Sequence, residues 1–314
     1  MAEMIRLLQN EWMKIFKRNS TIILIAILVG SVFLFAFVSS WGNSQQENVP
    51  WKEEVQQQII MYEQQAGNPE ATDKEITYYE EQQVIAEHRL EENIPPLDRG
   101  SFGQFLLDSK SNLAFATLFT VIIASGIVAS EFIWGTIKLL TIRPVKRGKI
   151  LWSKYGAVLL FSLTIALIAY VTSIISGWIF FDSGEGVLLT VDNGEVMKQS
   201  IWVESLKLYG LSFVNLFIMT SFAFMVGTLS RSNALAIGLS IFLMFTGQQM
   251  VFLLQEYTIM KYYLFTHADL TQYLQPRTLV EGITPQFSIV VLTTYLVIFL
   301  TISHLSFTKR DIAT

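Results

Sequence analysis

The residue types that perform covalent or metal chemistry are scarce in this 314-residue chain. It has no cysteine, so thiolate nucleophiles, disulfides, iron–sulfur clusters and Cys-type zinc sites are excluded. Its three histidines, His88, His267 and His304, stand far apart, without His-Glu-x-x-His spacing, and no Gly-x-Ser-x-Gly elbow is present. The Gly148-Lys149 pair lacks both a glycine five positions before Gly148 and a Ser or Thr after Lys149. No P-loop is therefore expected, and any nucleotide must be held by another chain. The pattern predicts a non-catalytic protein with no cofactor or metal of its own.

What remains is charge in an unusual setting. Residues 131–154 carry Lys138, Arg143, Lys146, Arg147, Lys149 and Lys154 against a single acid, Glu131. Phe132, Ile133, Trp134, Ile137 and Leu140 alternate with them. So apolar a loop requires a cover, either lipid headgroups or another protein. Pro144 is expected to end a short helix near Ile142. The basic residues equally suit anchoring to anionic headgroups. Glu131 reads two ways: as a helix-terminal acid at the membrane edge, or as an ion-pairing group for a partner protein, Lys138 or Arg143.

A second such element lies at the start. In residues 3–18, Ile5, Leu8, Trp12, Ile15 and Phe16 fall on one helical face, with Glu3, Arg6, Asn10, Lys14 and Lys17 on the other. This pattern predicts an interface helix lying on the inner leaflet, Trp12 at headgroup level. The stretch is too long and too mixed in charge for a signal-peptide n-region, so no cleaved leader is expected.

Six runs without Asp, Glu, Lys or Arg must position these segments: 21–41, 113–130, 155–181, 208–229, 234–254 and 286–307. About 20 apolar residues cross a hydrocarbon core as a helix, and each run meets or approaches that length. All seven prolines fall outside the runs. The expected fold is all-α and polytopic, in agreement with 52% hydrophobic and only 15% charged residues. A net charge of −4 argues against a nucleic-acid-coating surface. Charge-free spans also argue against a proton- or sodium-driven carrier. His304 falls near the end of its span and reads as a headgroup-level polar residue.

Segments 1–20, 131–154, 230–233 and 308–314 hold 13 of the 22 basic residues. The opposite segments, 182–207 and 255–285, hold four once the long segment 42–112 is set aside. Lys and Arg concentrate on the cytoplasmic side, so both termini are expected inside, in a bacterial plasma membrane. Outside, residues 42–112 read as a helical hairpin. Pro50 starts one helix, Gly67-Asn68-Pro69 stops it, and Thr72 with Glu75 forms a capping box for a second helix to about Glu92. Phe102, Phe105 and Leu106 suggest a short interfacial helix, and 251–285 a segment folded partly back into the outer leaflet. Within the spans, Asn215, Gln248 and Gln249 either line a translocation path or bond neighbouring helices, the latter being favoured. Ala223 with Gly227, and Ala234 with Gly238, are spaced for close helix approach.

Asn10-Glu11-Trp12-Met13-Lys14-Ile15-Phe16-Lys17-Arg18 before the first span, and Ala129-Ser130-Glu131, Gly135-Thr136-Ile137-Lys138, Arg143-Pro144 and Arg147 after the second, resemble the membrane subunits of type-2 ABC exporters, including bacitracin-resistance and sodium-export permeases. The resemblance covers the whole layout and rests on the conjunction of these pieces. It implies a coupling helix after the second span, with Glu131, Gly135, Thr136, Lys138, Arg143, Pro144 and Arg147 facing an ATPase, and Trp12 and Lys14 in the interface helix. It also implies two such membrane subunits, identical or paralogous, working with two cytoplasmic ATPase chains that bind ATP and Mg, and an exported drug, peptide antibiotic or lipid-like substrate. The long insertion at 42–112 departs from the shortest members. The rival reading is a membrane-bound sensor or immunity protein that binds a peptide at its outer hairpin.

Overall fold

Apolar sequence without proline leaves the backbone one way to satisfy its own N–H and C=O groups in lipid, and all six charge-free runs fold as helices. The computed structural model describes residues 2–43, 50–133, 146–184, 186–192, 194–230 and 232–309. The fold is all-α, with six helices long and apolar enough to cross a membrane. An N-terminal helix α1 (Ala2–Phe16) precedes the first of them, α2 (Asn19–Asn43). Next come α3 (Trp51–Ala66), α4 (Asp73–Glu91), the short α5 (Phe102–Asp108) and α6 (Leu113–Ile133). The remaining long helices are α7 (Arg147–Phe180), α8 (Ile201–Leu229), α9 (Asn233–Leu254) and α11 (Pro285–Lys309), with α10 (Leu264–Ala268) before the last.

The helix containing α5 and α6 is the centre of the bundle: 78% of its most apolar stretch is buried, against 22% in α2 and 17% in α9, which must therefore face lipid or another chain. Its closest neighbour is α8. A Cβ placed on Gly227 would stand 2.2 Å from the Ser125 carbonyl oxygen, so the two backbones cross here in contact. Ala223 is fully buried nearby, as expected of small residues at a crossing. Ala234 and Gly238, by contrast, are exposed, and Gly238 has nothing within 4 Å of its Cβ position.

The hairpin of α3 and α4 follows its sequence signals closely. Thr72 accepts from the Glu75 amide, and the Glu75 carboxylate accepts in return from the Thr72 amide at 2.9 Å. Buried Arg89 on α4 donates to the carbonyls of Pro95 and Val187 at 3.0 and 2.8 Å, which ties the hairpin to the segment after α7. That segment departs from an all-helical reading: Leu188–Asp192 pairs antiparallel with Glu195–Gln199 as a small β-hairpin. Phe105 and Leu106 are buried in the protein instead of resting at a lipid interface, Phe105 stacking on Phe181.

Between α9 and α11 the chain forms short helical turns, and all five residues of α10 are buried. The turns on either side of it are largely exposed or half-buried.

The α6–α8 crossing makes a contrast between two glycines. Gly227→Ala should destabilise the purified protein by about 1–3 kcal/mol, the usual cost of overpacking, while Gly238→Ala leaves its melting temperature unchanged. Thermal unfolding in detergent measures both; equal effects would contradict the close crossing.

Candidate functional site

The N-terminal helix packs on the first turns of α7 through a face that the sequence only half reveals. Ile15 and Glu11 are buried, and Leu8, Trp12 and Phe16 pack partly buried against the core. Trp12 lies against Phe16 with ring centres 4.7 Å apart, and Phe16 meets Phe161 of α7 edge-on. Leu8 sits over Gly156, whose missing side chain leaves room for it: a Cβ there would stand 2.9 Å from the leucine Cδ1. Ile5, assigned to the apolar face by spacing, is 53% exposed.

At the centre of this contact is Lys154, the largest fully buried side chain in the described residues. Its Nζ donates to Glu11 Oε2 at 2.7 Å and to Glu131 Oε1 at 2.5 Å. Lys14 donates to Glu11 Oε1 at 2.6 Å and lies 3.7 Å from Glu131 Oε1. Two carboxylates and two ammonium groups thus form one neutral cluster, drawn from the interface helix α1, the end of α6 and the start of α7. Arg18 Nη2 donates to Ser130 Oγ at 3.4 Å beside it, and the exposed pair Lys149–Glu3 at 2.7 Å ties the other end of α1 to α7.

Removing an ammonium group from water costs several kcal/mol, repaid only by close, well-directed acceptors. Lys154 has two charged ones. Burial pushes the Glu11 carboxyl group up, but Lys154 and Lys14 together outweigh it and hold the group below the usual carboxylate range. The chemical capacity of this arrangement is mechanical, since a displacement of α1 must either carry the ends of α6 and α7 with it or expose an unpaired buried charge.

The structure assigns Glu131 a partner that sequence spacing did not offer: it pairs with Lys154 and Lys14, not within reach of a helix end alone. Gly135, Thr136, Lys138, Arg143 and Pro144, and the short helix expected near Ile142, lie outside the described residues. Arg147 opens α7 and is half-buried. Trp12 and Lys14 are both on α1, Trp12 in its packing face and Lys14 at the rim of the cluster. Glu11 and Lys154 are the cluster residues whose pairing charge counting did not reveal. Glu11 did leave a signal, since it stands three residues after Leu8 and four before Ile15, a carboxylate on the apolar face of an amphipathic helix. Lys154 left less, because it abuts a charge-free run and α7 begins well before that run, at Arg147.

The amides Asn215, Gln248 and Gln249 do not come together. Asn215 is half-buried, both glutamines are exposed on α9, and none makes a side-chain hydrogen bond to another helix among the described residues. Hydroxyl groups bond the helices instead. Tyr155 meets Ser221 at 2.8 Å, Tyr170 meets Ser205 at 3.0 Å, and Tyr209 meets Ser109 and Ser173 at 3.0 and 3.2 Å. The serines also bond backbone carbonyls of their own helices, so they cost little wherever they stand in a span, which is why they escaped a search for polar amides.

Residues 92–313 match the family model described as "Protein of unknown function (DUF2705)". The chain belongs to this family. It is also similar to "Uncharacterized protein YhcI" of Bacillus subtilis (strain 168), at 38% identity over 99% of this chain and 100% of the relative. "Uncharacterized membrane protein YdbK" of the same organism is 33% identical over 62% of this chain and 76% of that protein. The DUF2705 match begins just after α4, so it contains Glu131 and Lys154 but neither Glu11 nor the α3–α4 hairpin. Six apolar helices and a relative named as a membrane protein make this DUF2705 member a multi-pass membrane protein.

Lys154→Met leaves two carboxylates buried without their cation and should cost about 3–5 kcal/mol, as breaking a buried ion pair does. Adding Glu11→Gln and Glu131→Gln should recover much of that loss. Detergent melting of the variants checks this, and a single Lys154→Met variant as stable as wild type would contradict it. Acid should act in the same direction: because the Glu11 carboxyl group is depressed in the fold, its contribution is full above the ordinary value of about 4.3. It is lost as pH falls through the lower folded value. Limited proteolysis of α1 across that range should show protection at neutral pH that disappears only below it.

Proposed function

We propose that this protein is the permease subunit of an ATP-driven exporter, moving a hydrophobic or amphiphilic substrate outward by coupling to a separate ATPase subunit. The observation that carries the reading is the Glu11–Lys154–Glu131 cluster. It joins the interface helix to both helices that flank the basic, apolar segment 131–154, the segment that resembles a coupling helix. A push on that segment reaches α6 and α7 directly, and reaches α1 through the buried charges. With α6 at the centre of the bundle, a tilt at its cytoplasmic end is passed to α8 across the Gly227 contact. Such a rigid-body response is what a two-state transport cycle requires of its membrane subunit.

In this scheme both termini are cytoplasmic and the protein resides in a bacterial plasma membrane. The coupling residues are Glu131, Gly135, Thr136, Lys138, Arg143, Pro144 and Arg147, of which Glu131 serves to position the segment, not to touch the partner. ATP and Mg are bound by the ATPase, and a second membrane subunit, identical or paralogous, completes the assembly.

Co-expression with candidate ABC-type ATPases from the same genome tests the reading. An affinity-tagged protein should co-purify with one such ATPase and stimulate its hydrolysis in vesicles, and Lys154→Met with Glu131→Gln should reduce the stimulation by at least about tenfold, the loss of ~1.4 kcal/mol of coupling. Recovery of the intact membrane protein with no ATPase bound would count against it.

A further inference from the structure

At the end of the bundle away from the charge cluster, the C-terminal end of α9 and the segment before α11 line an open cavity of about 740 Å³. That size lies within the range of sites that hold small molecules, about 300–1,000 Å³. Glu256, Tyr257, Lys261, Arg277, Leu279 and Glu281 are among the residues that line it. Its four charges are not equivalent. Arg277 is committed to Glu281 by an ion pair. Lys261 and Glu256 have no ion-pair partner among the described residues, so the cavity presents one uncommitted cation and one uncommitted anion.

The wall that bears Lys261 is held firmly. Buried His267 bonds the Lys261 carbonyl through Nε2 at 2.8 Å, and Ser288 of α11 through Nδ1 at 2.5 Å. Tyr295 of α11 donates to the neighbouring Tyr262 carbonyl at 3.0 Å. The lysine Nζ lies against Gly282, 3.0 Å from where a Cβ would stand. The backbone that carries Lys261 is thus fixed, while its ammonium group stays free to reach a ligand. Around the mouth, Tyr257, Ile259 and Tyr262 are 63%, 73% and 61% exposed, and Phe252 and Leu253 on α9 are 62% and 70% exposed below it. Exposed tyrosines beside an exposed apolar helix face are the pattern of a bilayer boundary. The cavity therefore opens where lipid headgroups lie, beside a helix face suited to an acyl chain.

From these observations we infer that the cavity is a binding site for a zwitterionic amphiphile, its anionic group met by Lys261, its cationic group by Glu256, and its tail laid along α9. The site does not depend on the exporter reading, because it is complete in this chain and needs no ATPase.

The test uses the full chain in nanodiscs containing equal amounts of phosphatidylethanolamine and phosphatidylglycerol, followed by native mass spectrometry of the lipids that remain bound. Wild-type protein should retain phosphatidylethanolamine in preference by about tenfold. Lys261→Gln should weaken retention of both lipids, which share the phosphate, and Glu256→Gln should shift the preference toward phosphatidylglycerol, since only the cation then remains; a general loss of structure would not reverse a selectivity. Thr278→Trp, which fills the cavity without touching a charge, should displace both lipids and serves if a charge variant does not fold. Soluble phosphoethanolamine at the same concentration should leave the adduct in place. Equal retention of the two lipids by wild type, unchanged selectivity in Glu256→Gln, or displacement by phosphoethanolamine would each overturn the assignment.

Discussion

A buried ammonium group between two carboxylates is the constraint on which the N-terminal contact of this molecule depends. Lys154 cannot be left without acceptors in the interior of a membrane bundle, and the acceptors come from two different elements, α1 and α6. Their separation would strand at least one charge where water does not reach. Apolar packing at the same contact, through Leu8, Trp12, Ile15 and Phe16, is non-directional and would tolerate sliding. Ion pairs with hydrogen-bond geometry do not, so the cluster fixes the register of α1 on α7 as well as its presence.

The rest of the bundle handles polarity differently. Its interior polar contacts are made by tyrosine hydroxyls that meet serines, each serine also bonding a carbonyl of its own helix. Such groups join helices without demanding a charge partner, so they accommodate small movements at modest cost. The bundle thus combines one rigid charged joint at one edge with a more forgiving interior. This is the distribution expected where force enters at one end and is passed along a central helix.

Much of this architecture was legible in the sequence because it follows from periodicity and from the absence of charge. The six spans, the Thr72–Glu75 capping box and the helix break at Gly67-Asn68-Pro69 all appeared where local chemistry placed them. The partners of Glu131 were not legible, because they depend on which helices touch. Lys154 lies 23 residues from Glu131 and 143 from Glu11. Local rules also placed Phe105 at an interface when the end of α7, through Phe181, covers it. Similarly, the pair Ala234 and Gly238 had the same spacing as Ala223 and Gly227, yet only the second pair meets another backbone, since spacing says what a helix permits and not what lies against it.

The absence of cysteine from the chain makes the central joint directly measurable. Cysteines introduced as Leu8→Cys and Gly156→Cys place one thiol on each side of the α1–α7 contact, and a short bis-maleimide or mild oxidation in native membranes should link them efficiently. In a Lys154→Met background the yield at equal protein should fall severalfold, as α1 leaves a contact that has lost its cation. A cross-linking yield indifferent to Lys154 would show that packing alone holds the interface helix, and would contradict the account.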